Sequence, residues 1–179
     1  MTTEYEIRIL EIDKEKIIEK LEELGAKKIG EFNQKRYVYD LKPIQEDKWI
    51  RLRANGEETT LTYKSIEADT IDGTKEVEIK VDDFDVANEF LNKLGFIARN
   101  YQENIRIQYI LDDVEIDIDT WPMIPTYLEI EGKSEKEVND MIKKLNLENS
   151  KITLLNCNSI YKKIYNIDIS KITELKFKK

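Results

Sequence analysis

The run Glu4-Tyr5-Glu6-Ile7-Arg8-Ile9 decides how this chain is read. Successive side chains of a strand point to opposite faces, so Glu4, Glu6 and Arg8 share one face and Tyr5, Ile7 and Ile9 the other. The alternation returns at Glu76-Val77-Glu78 and at Glu129-Ile130-Glu131. One such pair reads as a solvated sheet face. Three pairs, with bases on the same parity, read as a surface that binds divalent cations, which take carboxylate oxygen ligands.

Around these strands the chain repeats itself. Glu4, Glu6 and Arg8 correspond to Glu76, Glu78 and Lys80 at an offset of 72, and Arg36 and Tyr39 to Arg106 and Tyr109 at 70. Each first strand leads to an acidic helix start, at Asp13 and at Asp83 to Asp85. Apolar residues then recur at helical spacing, Ile17, Ile18, Leu21 and Leu24, then Val86, Phe90, Leu91 and Leu94. Both runs end in Leu-Gly, where Gly25 and Gly95 suit a left-handed cap. Ser134 with Glu137 forms a capping box that opens a third helix through Val138, Met141, Ile142 and Leu145. A last helix is expected near 158–165.

The strands are expected near 3–10, 32–40, 48–54, 58–64, 75–81, 103–110, 113–119 and 126–132, as two β-α-β-β halves. No Pro- or Ser-rich linker divides them, so residues 1–167 read as one domain. The tail, 168–179, reads as a late strand or a mobile arm.

Composition narrows the chemistry. The 179 residues contain no His and only one Cys, Cys157, which removes Ser-His-Asp and Cys-His catalysis, an intramolecular disulfide and the usual zinc sites. The lone Cys suits a reducing cytoplasm. A net charge of -8 opposes nucleic acid as a partner, and no apolar run reaches membrane-spanning length. A monomer or a homodimer is expected.

Strand parity then sorts the faces. Ile7, Ile9, Val77, Ile79, Ile116, Ile118, Leu128 and Ile130 form an apolar face for helices to cover. Opposite lie Glu4, Glu6, Arg8, Arg51, Arg53, Thr60, Thr62, Lys64, Glu76, Glu78, Lys80, Arg106, Glu115, Asp117, Asp119, Glu129 and Glu131. The class is α+β: an eight-stranded antiparallel β-barrel with a charged lumen and its apolar packing outside. Buried charges are costly unless paired or metal-bound, so such a lumen points to binding. Mg²⁺ or Mn²⁺ on the acids, with phosphate oxygens on the bases, would satisfy both sets.

At these residues the chain resembles the CYTH superfamily, the triphosphate tunnel metalloenzymes that include class IV adenylyl cyclases and thiamine triphosphatases. Glu4-Tyr5-Glu6-Ile7-Arg8 is similar to the Glu-x-Glu-x-Lys hallmark, with Arg for Lys. Lys48-Trp49-Ile50-Arg51-Leu52-Arg53 resembles the paired-Arg strand, and Leu61-Thr62-Tyr63-Lys64 the Leu-Thr-x-Lys strand. Glu76-Val77-Glu78, Arg106-Ile107-Gln108-Tyr109, Asp119 and Tyr127-Leu128-Glu129-Ile130-Glu131 continue the pattern, and Ser159 and Tyr161 match its C-terminal Ser-Tyr. The chain departs from it at Asn104, where a base is usual, and at Pro125, where Gly is usual.

The resemblance implies a triphosphate substrate on Arg8, Arg51, Arg53, Lys64, Lys80 and Arg106, and metal on Glu4, Glu6, Asp119, Glu129 and Glu131. It also implies a dyad of Lys64 with a tyrosine, Tyr39 or the same-parity Tyr37, acting with Glu6. Glu76, Glu78, Glu115 and Asp117 would complete the acidic lining. The expected activity is metal-dependent triphosphate hydrolysis. Cyclisation of ATP and non-catalytic triphosphate binding are the alternatives.

Overall fold

The computed structural model describes residues 1–45 and 47–178; Lys179, the end of the tail, lies outside the described residues. Each expected helix start is capped by the expected side chain. Asp13 accepts from the Lys16 amide ahead of α1 (Lys14–Glu23), and Asp83 from the Asp85 and Val86 amides ahead of α2 (Phe84–Lys93). Ser134 accepts from the Glu137 amide ahead of α3 (Glu135–Lys144). Gly25 and Gly95 follow α1 and α2 with φ of +74° and +87°, the left-handed region that glycine enters at little steric cost.

The strands are β1 (Thr2–Leu10), β2 (Lys27–Asp40), β3 (Lys48–Ala54), β4 (Thr59–Ile66), β5 (Thr74–Val81), β6 (Ala98–Leu111), β7 (Val114–Thr120) and β8 (Tyr127–Gly132). Neighbours run β6-β2-β3-β4-β5-β1-β8-β7, and β7 pairs back to β6, so eight antiparallel strands close into a barrel. The two halves of the repeat meet strand to equivalent strand, β1 on β5 and β2 on β6. β2 and β6 each run 14 residues, longer than expected at their N-terminal ends. Their extended pairing passes an irregularity between Lys28 and Gly30 that interrupts the alternation on which the sequence reading rests.

Apolar packing lies outside the barrel wall. Ile7, Ile9, Ile116, Ile118, Leu128 and Ile130 form a core with α1 and α3, and Tyr39, Leu52 and Ala54 form a second with Phe84 and Leu91 of α2. Val77 and Ile79 depart from expectation. Among the described residues no helix covers them, and they stand 48% and 55% exposed. On α2 the face turned inward carries Phe84, Ala87 and Leu91, which leaves Val86, Phe90 and Leu94 outward.

A third apolar cluster gathers Leu10, Trp121, Ile124, Tyr127, Ile160, Tyr161, Ile169 and Leu175. It brings the C-terminal segment against the barrel: α4 (Cys157–Ser159), a π-helical turn at Ile160–Ile164, and a 3-10 turn at Ile169–Lys171. The tail ends as β10 (Glu174–Leu175), parallel to β6, while β9 (Lys151–Thr153) pairs with β1.

Candidate active site, a divided ionic tunnel

The barrel encloses a cavity of about 390 Å³. β1 lends it Glu4, Glu6 and Arg8; β3 lends Arg51 and Arg53; β4 Lys64; β5 Glu76 and Glu78; β6 Arg106; β7 Glu115 and Asp119; β8 Glu129 and Glu131. Asp117, buried and of the same parity, is held by the Arg106 guanidinium.

Three expected residues are placed elsewhere. Tyr39 is fully buried outside the barrel, between Leu52 and Phe84, and its hydroxyl donates to Asn88 Oδ1 at 2.8 Å. Tyr37 packs in the same outer cluster and stacks on Phe84. The cause is parity: Gln34, Arg36 and Val38 face the lumen, so the odd-numbered tyrosines face out. Lys80 lies at the exposed end of β5, paired with Glu58 at 2.5 Å rather than turned into the cavity.

The lining is partly neutralised from within. Arg106 bonds to Asp119 at 2.6 Å and Glu129 at 3.1 Å, besides Asp117. Arg8 meets Glu129 at 2.7 Å and Glu6 at 2.9 Å. Burial would raise the Glu129 carboxyl, yet Arg8 and Arg106 hold it well below the usual range. Lys64 sits 2.7 Å from Glu4 and 3.4 Å from Glu76. Glu78 takes Arg51 at 3.3 Å and the Thr62 hydroxyl at 2.5 Å.

What remains is divided by sign. Glu6, Glu131 and Glu115 are cross-strand neighbours in turn, and neither Glu131 nor Glu115 has a base within 4 Å among the described residues. Burial first, then Glu4, Glu6, Glu129 and Glu115, push Glu131 up to about 8. Arg36, Arg53 and Arg51 gather on β2 and β3. Arg51 and burial bring Arg53 down to about 9, and burial with Arg51 brings Arg36 to about 10. Among the described residues Arg36 hydrogen-bonds only to the neutral Gln34 and Asn104, and the buried Nε of Arg36 and of Arg51 has no partner.

Arg36 is a base lining the cavity that the sequence reading left out of its candidate set. Its signal was present, since the repeat aligns it with Arg106. Asn104, in place of the usual base, accepts from Arg36 and donates to Asp119 at 3.1 Å, joining the two walls. Trp49, Trp121, Tyr127 and Cys157 also line the cavity.

Among the described residues no three carboxylates stand close enough to hold an ion as placed. Their chemistry nevertheless fits a hard cation: all are oxygen donors, and they repel one another in its absence.

A closed barrel with its core outside and acids and guanidiniums inside defines an ionic β-tunnel. The chain belongs to the CYTH family, whose model, described as the CYTH domain, matches residues 2–160. It is 31% identical over 150 residues to a Methanocaldococcus jannaschii protein provisionally named an adenylate cyclase, covering 79% of this chain and 83% of that one. A Pyrococcus horikoshii protein, PH1012, has the same fold at TM-score 0.71 and 26% identity, covering 83% and 94% of the two chains. The fold also recurs at TM-score 0.62 and 13% identity, over 93% and 97%, in a Hippeastrum protein provisionally named an adenylyl cyclase and described as having a dominant triphosphatase activity.

Proposed function

We propose that this chain hydrolyses a small triphosphate, with a divalent metal ion, Mg²⁺ or Mn²⁺, at the acidic wall. The observation that carries the reading is the division of charge in one cavity: among the described residues Glu131 and Glu115 have no base within 4 Å, Arg36 has no acid within that distance, and Arg53 reaches Glu78 only at 4.0 Å. A triphosphate bridged to a cation supplies what each set lacks.

In this reading Arg36, Arg51 and Arg53 bind phosphate oxygens, with the bidentate geometry that guanidinium favours. Glu4, Glu6, Glu115 and Glu131 would hold the ion. Arg8 and Arg106 serve by holding Glu6, Asp117, Asp119 and Glu129 in place through ion pairs. Lys64, held between Glu4 and Glu76, orients the terminal phosphate and fixes the acids beside it. The bound ion would lower the charge on the phosphates and the pKa of an attacking water. The name of the Methanocaldococcus relative favours a second reading, attack by a ribose 3′-hydroxyl on the α-phosphorus to give cyclic AMP and pyrophosphate.

The test is a product assay with tripolyphosphate or ATP and Mg²⁺ or Mn²⁺, reading phosphate and cyclic AMP together. Phosphate that disappears with EDTA and in Glu131→Gln supports hydrolysis. Cyclic AMP with pyrophosphate establishes the second reading. Triphosphate binding with neither product makes the chain a binding module.

A further inference from the structure

The barrel is not closed along the whole of β5. On one side β5 pairs with β4 from Thr74 to Val81. On the other, only Thr74, Lys75 and Glu76 meet β1 among the described residues. From Val77 to Val81 that edge has no strand partner among the described residues. Folded proteins usually shorten, charge or cover such an edge, since its free amides and carbonyls can pair with another chain. Here the outer face of the edge is apolar.

This face continues onto α2. Leu61, the cross-strand partner of Ile79, packs in the core beneath that helix. Asn88 takes the hydroxyl of Tyr39 on β2, so its flank of the helix faces β2. Residues two apart on a helix lie about 200° apart, which turns Phe90 the other way, toward β4 and β5. Val86, Phe90 and Leu94 on that flank are 65%, 63% and 60% exposed. With Val77 and Ile79, five large apolar side chains of one surface are left to solvent. That amounts to several hundred Å², approaching the roughly 800 Å² per partner of a standard interface.

We propose that β5 pairs with β5 of a second copy of this chain, antiparallel about a twofold axis through Ile79. The charge pattern selects this register. Glu78 then faces Lys80 of the second copy, and Val77 faces its Val81, on both sides of the axis. A shift of the axis by one residue brings Glu78 onto Glu78, or Lys80 onto Lys80, and like charges directly opposite are unfavourable. Ile79 meets itself at the centre, and the two α2 flanks cover the apolar side. The contact is isologous and self-limiting, and it removes the open edge from both copies.

Sedimentation or light scattering on the full chain at ~100 µM, well above the Kd of a standard interface, is expected to give a dimer. Ile79→Lys is expected to weaken association at least tenfold while the circular dichroism spectrum is kept. Should that variant unfold, Phe90→Glu, at an exposed helix position, is expected to weaken association similarly. Ile79→Cys at the axis should form an intermolecular disulfide on mild oxidation. A monomeric wild-type chain overturns the proposal, as does a dimer that survives both charged substitutions. A dimer in which Ile79→Cys fails to cross-link overturns the register.

Discussion

Arg36 on β2 and Arg53 on β3 stand directly opposite each other, and the nearest carboxylate to either, Glu78, is 4.0 Å from Arg53. Two like charges in cross-strand register cost stability unless an anion joins them. This unneutralised pair supports the proposal that Arg36 and Arg53 bind an anionic substrate.

Arg53→Gln is expected to leave the unliganded protein as stable as the wild type, or more stable by up to about 1 kcal/mol. The same change should weaken tripolyphosphate binding about 10- to 100-fold, the usual range for a lost charge-assisted hydrogen bond. Thermal melts with and without tripolyphosphate, beside calorimetric titration, check both parts. A stable variant with undiminished affinity would remove Arg53 from the phosphate site.

The Glu131 carboxyl makes stability depend on pH. Its pKa rises from 4.5 to about 8 on folding, by burial first and then by Glu4, Glu6, Glu129 and Glu115. A carboxyl raised in this way stabilises the fold fully below about 4.5, and its contribution is lost as pH rises through 8. In EDTA the wild type should melt lower at pH 9 than at pH 6. Glu131→Gln should recover on the order of 2 kcal/mol at pH 9, after allowing for solvent screening. Added Mg²⁺ should raise the wild-type melt and leave that of the variant nearly unmoved.

Lys64 and Tyr39 are expected to part company. Tyr39→Phe loses one hydrogen bond, to Asn88, in the outer core, so it should cost about 1 kcal/mol of stability and leave turnover within about twofold. Lys64→Met leaves Glu4 and Glu76 without their shared cation and should lower kcat about 100-fold or more. Steady-state kinetics beside denaturant melts separate the two. Equal losses of kcat would return Tyr39 to the site.

Cys157 lines the cavity, yet burial pushes its thiol up to about 12. Alkylation requires the thiolate, so iodoacetamide at pH 7.5 should modify the native protein about 100-fold more slowly than the urea-unfolded chain. Timed mass spectrometry reads the difference. Rapid native labelling would show an open, accessible thiol.

The sequence by itself determined which side chains share a face. Strand alternation is local, so Glu4, Glu6 and Arg8 inside and Ile7 and Ile9 outside follow from period two alone, and the helix caps follow from Asp13, Asp83 and Ser134. That rule already separated Arg36 from Tyr39, which lie three residues apart and so on opposite faces; matching residue types between the two halves obscured it. What the tertiary structure decided is which charges find partners. Lys80 and Glu78 share a parity, but β1 pairs with β5 only from Thr74 to Glu76, and Lys80 beyond that pairing is exposed. Arg106 meets Asp117 and Asp119 through the register of β6 with β7, and Arg36 meets no acid through its register with β3 and β6. Ion pairing falls off within a few ångströms, whereas cross-strand register joins residues up to more than a hundred positions apart. The sign of each wall of the tunnel is therefore set only when the barrel closes.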